Sequence, residues 1–219
     1  MSLTEKIAVK IGNNAKLFLN ADEDKEQVIV YGAINLIQTI FAVLWVIIAS
    51  LFFGVLYEAL IFSIVVSILR KYSGGVHSSS SSRCIIIGTI LAVVAGISID
   101  KLFYKFNMPT VIVSNIAFMA FAFIIVTKNA PVDSIKKPIT NREIKKQFKK
   151  KSIIVIFIFS LIIVILCAFS KTHSELFYIK VIESISFGIL WQSITLTKIG
   201  ISILNKVDFV LKYIMEGGE

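Results

Sequence analysis

Charge is scarce in this chain. Of its 219 residues 17% are charged and 56% hydrophobic, with a mean hydropathy of +0.84. A soluble domain of this length averages about half apolar and about a quarter charged, so a soluble fold is excluded. Cysteine and histidine are scarcer still, two of each. Cys84 and Cys167 cannot make a disulfide framework, and they fall in segments placed at different depths, so both read as free thiols. His77 and His173 occur without an HExxH arrangement or a paired acidic ligand, which predicts no metal site and no cofactor. No repeat of 20–50 residues is visible, so residues 1–219 read as one domain. No segment is long enough to be a soluble module with a basic, aromatic-interleaved face. The net charge of +9 is therefore read as a topology and lipid signal, and nucleic acid is excluded as a partner.

What the chain has in abundance is apolar sequence. Runs near 20 residues recur, about the length a helix needs to cross a hydrocarbon core of about 30 Å. The expected fold is an all-α integral membrane protein with about six transmembrane helices, at approximately 28–52, 54–69, 84–99, 109–127, 152–170 and 176–197. The first two form one continuous apolar stretch, too long for a single span, and Gly54 is the obvious place to break it. The first 27 residues carry nine charges and no apolar core, which predicts no cleavable signal peptide.

Lys and Arg counts orient the bundle. The loop 128–151 carries nine basic residues, residues 1–27 four, 70–83 three and the tail 198–219 three. The opposite side has only Lys101, Lys105 and Lys171. Both termini and the 70–83 break are thus expected in the cytoplasm, in a multi-pass protein of the cell membrane. The Lys145–Lys151 cluster reads as a solvated helix start facing lipid headgroups, with attraction for an acidic peptide as an added role. The segment 1–27 places Leu3, Ile7, Ile11, Ala15 and Phe18 at helical spacing, and the tail repeats the pattern with Ile203, Val207, Val210 and Ile214. Interfacial helices flanking the 28–197 bundle account for both, and docking of another amphipathic helix is the alternative for the first.

The fifteen residues RKYSGGVHSSSSSRC, Arg70 to Cys84, make the one polar break that pairs a base with a nucleophile. Cys84 opens the run IIIGTILAVVAGISI, so its thiol is expected at the positive end of a helix with Arg83 adjacent, and both effects favour thiolate. His77 suits a general base. Were 77–84 helical, two turns would hold the pair about 10 Å apart, beyond hydrogen-bond reach. The loop must fold back. Gly74 and Gly75 permit unusual backbone angles, and the serines Ser78 to Ser82 are poor mid-helix residues. The flanking runs give about 24 Å of helix each, which suggests that the loop dips into the bilayer. On spacing alone, a packing thiol and a solvated histidine explain the same residues.

Arg70, Gly75, His77 and Cys84, in the spacing R-x4-G-x-H-x6-C between apolar spans, resemble the accessory gene regulator B (AgrB) family. Pro131 and Pro138, in a basic loop before the fifth span, resemble that family's proline-containing loop, and the likeness extends over nearly the whole chain. The resemblance implies a membrane cysteine endopeptidase that matures a quorum-sensing autoinducing peptide. Cys84, activated by His77, would attack a carbonyl of a small amphipathic precursor, release its C-terminal segment and form a thioester. An internal Cys or Ser of the precursor would close a thiolactone or lactone ring. Arg70 would hold a precursor carboxylate or stabilise the oxyanion, with a plain topology anchor as the other reading. Gly75 would serve turn geometry. The competing class is a small transporter or exporter with a re-entrant loop at 70–84, for which inverted halves are not evident, followed by a catalytically silent scaffold. A homodimer is left open.

Among other polar residues, Cys167 reads as an inert core thiol and His173 as solvated. Glu58 is expected near the outer interface, solvated, and Lys180 and Glu183 are expected to pair with each other at i, i+3.

Overall fold

In a computed structural model of the chain, residues 3–19, 22–76, 78, 80–133, 140–170 and 175–216 are described. They form eight helices: α1 (Leu3–Leu19), α2 (Glu23–Phe52), α3 (Leu56–Ser73), α4 (Ser81–Lys101), α5 (Met108–Asn129), α6 (Arg142–Phe169), α7 (Glu175–Ile194) and α8 (Lys198–Glu216), with a short 3₁₀ turn at Phe103–Lys105. Each expected apolar segment is a helix. Local chemistry sets their ends. The carboxylate of Asp22 accepts from the Lys25 N–H at 2.8 Å at the start of α2, where Glu23, Asp24 and Glu26 meet the positive end of the dipole. Asn107 and Asn141 cap α5 and α6 in the same way. The 28–69 stretch breaks at Gly54, whose φ of +69° is left-handed backbone that glycine adopts without a Cβ penalty.

Four helices, α2, α4, α5 and α6, are long and apolar enough to cross a membrane, and the α7–α8 pair, bent by 89°, makes a fifth if counted as one span. The protein is a multi-pass membrane protein. α3 falls outside this set because Glu58, Arg70 and Lys71 all lie within its 18 residues. Large apolar side chains line the outward faces, among them Trp45, Ile48, Val113, Phe157, Leu161 and Val164. That is the surface lipid would cover.

α7 is the central helix. It packs on α3, α4, α5 and α6 and buries residues around most of its circumference. Gly188 lets α3 approach closely, since a Cβ there would stand 2.9 Å from Val65 and 3.1 Å from the Phe62 carbonyl. One apolar core joins Leu69, Val126, Ile156, Ile182 and Ile189, and a smaller one joins Val46, Ala59, Phe62, Ala92 and Ala95. The enclosure of α7 overturns two expectations. Glu58 is buried rather than solvated, 3.6 Å from Lys180 Nζ. Lys180 does not pair with Glu183: it meets Asp100 of α4 at 2.5 Å, while Glu183 turns to Ser114 of α5 at 3.4 Å. Residues three apart on a helix point about 60° apart, and different neighbours on those two sides capture them.

The flanking helices form as the spacing predicted. α1 folds back on α2, with Gly12 against Val30 and a 2.7 Å Lys16–Glu26 ion pair, and leaves Ile7 and Ile11 exposed. α8 leaves Ile203, Val207, Val210 and Ile214 exposed along one side.

Candidate functional site

The site begins where α3 ends. Arg70 lies in the last turn, and its Nη2 donates to the carbonyl of Val76. The Gly74 N–H closes the turn on the Arg70 carbonyl at 2.9 Å, and the backbone then leaves the helix through left-handed φ values of +70° at Gly74 and +135° at Gly75. This segment is clamped from two sides. Val132, in the connection after α5, donates to the Ser73 carbonyl at 2.9 Å and accepts from the Gly75 N–H at 3.2 Å. From α7, Gln192 Nε2 donates to Ser73 Oγ at 3.0 Å and to the Gly74 carbonyl at 2.9 Å. A Cβ at Gly74 would collide with the Val132 carbonyl, so glycine is required there by both backbone angle and space. At Gly75 a Cβ would meet Gln192, Thr195 and Arg70 at 3.6–3.9 Å, so conformation rather than room selects glycine.

Cys84 lies across from this clamp. α4 starts at Ser81, after Ser80 in extended conformation (φ −122°, ψ 139°). The Cys84 N–H donates to the Ser80 carbonyl at 3.0 Å, so it is the first bonded amide of the helix rather than an unpaired one. The half-buried thiol still sits in the first turn, where the dipole favours negative charge. Arg83, the residue before the thiol, has a long-range partner that the sequence did not suggest. It is buried, and its Nε donates to Asp208 of α8 at 2.8 Å. Arg70 is electrostatically linked to the thiol. Burial draws its guanidinium below the ordinary arginine range, and the negative charge of a Cys84 thiolate opposes that shift. Among the described residues, Arg70 Nε is buried with no hydrogen-bond partner, and so is Gln192 Oε1.

His77 lies outside the described residues, as do Pro138 and His173. Ser80 is extended, but α4 begins at Ser81, so the last two serines of the run, Ser81 and Ser82, are helical where a loop was expected.

The chain matches the Accessory gene regulator B family over residues 4–196. The chain belongs to the AgrB family. It is 38% identical over 209 residues to AgrB-like protein 2 of Clostridium perfringens strain 13, an alignment covering 94% of this chain and 97% of that one. An AgrB-like protein of Clostridium perfringens strain SM101 is 37% identical over the same lengths. No solved structure matches the chain. Membership ties the protein to the processing of an accessory gene regulator quorum-sensing peptide at a membrane. The family match stops before α8, so Asp208 lies beyond it.

Sequence reading passed over Gln192 and Asp208. Gln192 carried a usable signal as a full amide within an apolar span, where polar side chains usually bond across helices. Asp208 carried none: an aspartate on an amphipathic tail reads as solvated. The expected basic surface is present on α6, where Lys145 pairs with Asp133 at 3.0 Å. Lys151 and Lys71 both lie over the ring of Tyr72, at 5.9 and 5.6 Å.

Proposed function

We propose that this AgrB-family protein is a membrane cysteine endopeptidase that removes the C-terminal segment of a small amphipathic quorum-sensing precursor and cyclises what remains. In this reading His77 takes the proton of the Cys84 thiol, and the sulfur attacks the carbonyl carbon of the scissile peptide. The C–N bond breaks, His77 returns the proton to the leaving amine, and the precursor is held as a thioester on Cys84. A thiol or hydroxyl inside the precursor then attacks that thioester, giving up its proton as the Cys84 sulfur leaves, and the ring closes as a thiolactone or lactone. A water-poor site favours closure over hydrolysis.

One observation carries most weight in support. Arg70, held to the Val76 carbonyl and bearing an unpartnered buried Nε, is near enough to interact with the charge of Cys84. A fixed cation beside a nucleophile suits an oxyanion or a precursor carboxylate. The basic start of α6 and the Lys71–Tyr72–Lys151 group suit an acidic stretch of the precursor. The reading includes six spans, both termini and the site toward the cytoplasm, one domain, and a homodimer as the natural assembly to look for.

Co-expression with the peptide encoded in the neighbouring reading frame tests it. Cys84→Ser and His77→Ala are expected to leave that peptide at full length. If both variants still yield the cleaved form, the protein is not a cysteine endopeptidase.

A further inference from the structure

The sequence set a geometric condition: His77 and Cys84 act together only if the serine loop folds back. Asp208 of α8 touches both the loop after His77 and the first turn of α4. Its Oδ1 accepts from the hydroxyl of Ser78, the residue after His77, and from Nε of Arg83, the residue before Cys84, at 2.8 Å. Ser78 and Arg83 are five positions apart in sequence, and a shared acceptor brings their side chains to one point. The carboxylate and the guanidinium are both largely enclosed, with side-chain exposures of 18% and 5%. Charge-assisted hydrogen bonds in such surroundings hold geometry more firmly than neutral ones. α8 is free to deliver this carboxylate because the chain turns 89° after α7 and lays the helix against the start of α4.

We propose that Asp208 is a positioning residue: it clasps Ser78, beside His77, to Arg83 in the first turn of α4, so that the C-terminal helix is part of the peptidase site. The inference rests on the peptidase reading for its catalytic meaning, while the clasp itself is testable without substrate.

Hydrogen exchange of the purified full-length protein in detergent reads the clasp. Asp208→Asn keeps the shape and removes the charge. Exchange across residues 76–84 is expected to rise about tenfold, with α5 and α6 unchanged. Ser78→Ala removes one bond without uncovering a buried charge, and a smaller rise confined to the same segment is expected. The catalytic role is read as cleavage of the co-encoded precursor. A kcat about tenfold lower in Asp208→Asn with an unchanged KM, partly restored in Asp208→Glu, marks a loop misplaced relative to its nucleophile. Unchanged exchange in 76–84 for both Asp208→Asn and Ser78→Ala overturns the clasp. Faster exchange with unchanged kcat overturns its role in positioning. If Asp208→Asn does not fold, Ser78→Ala decides both points. Failure of the peptidase reading shows separately, as cleavage that survives Cys84→Ser.

Discussion

The two ends of α4 are built from similar material and differ in what they leave unfinished. At its C-terminal end Asp100 meets Lys101 at 2.8 Å and Lys180 at 2.5 Å, and Lys180 in turn meets Glu58 at 3.6 Å. Cations and carboxylates alternate there, and the group behaves as a closed ionic cluster. At the N-terminal end one pair is also closed, Arg83 with Asp208. Beside it, though, among the described residues a buried donor on Arg70 and a buried acceptor on Gln192 are without partners, next to two glycines in left-handed backbone. Buried polar atoms are nearly always satisfied, because leaving one bare costs about 1–3 kcal/mol. Where the fold tolerates two of them in one place, the place is suited to something that arrives from outside. On the function proposed above, the closed end is architecture and the open end is chemistry.

That contrast can be broken at either end. The largest effect is expected from Gly74→Ala. The new methyl would collide with the Val132 carbonyl and strain a φ of +70°, so the bridge between residues 73–75 and Val132 must open. Displacing the Arg70 turn by about 1 Å is enough to lower precursor cleavage about a hundredfold. An assay of cleaved peptide per folded protein checks this, and activity near that of the parent would mean that the clamp does not set the site. At the closed end, Lys180→Met takes from Glu58 its cation at 3.6 Å and leaves Asp100 with Lys101. With Lys180 a quarter exposed, the cost is about 2 kcal/mol, less than for a fully buried pair. A lower Tm in detergent with unchanged cleavage per folded molecule is expected. A loss of cleavage there would erase the distinction between the two ends.

Much of the scaffold was written locally. Apolar run lengths gave the helices, Gly54 gave the break between α2 and α3, and the spacing of Ile203, Val207, Val210 and Ile214 gave a tail helix. The polar break from Arg70 to Cys84 was legible as a break, with its glycine pair at the turn, while spacing alone left the use of its thiol and base open. Contacts that join residues far apart in sequence were not legible. Lys180 was assigned to Glu183 by helical spacing, which holds for a helix open to solvent and fails when α3, α4 and α5 offer partners of their own. Arg83 was read only beside its neighbour Cys84, and its bond to Asp208, 125 residues away, went unseen. Side-chain pairing in a bundle is decided by which faces are enclosed, and one sequence does not print that.

The smallest effect separates the two cysteines. Cys167 packs against the larger apolar core from α6. Cys84 shares its surroundings with Arg70 and the first turn of α4. Cys167→Ala removes one sulfur from a half-buried position and should cost under about 1 kcal/mol of stability. Cleavage and ring closure should be unchanged, measured as the yield of cyclic peptide beside the parent protein. The value of so mild a variant is that it leaves Cys84 as the one thiol in the chain. Any thioester trapped on that protein can then sit only on the helix start that the glycines, Arg70 and Asp208 surround.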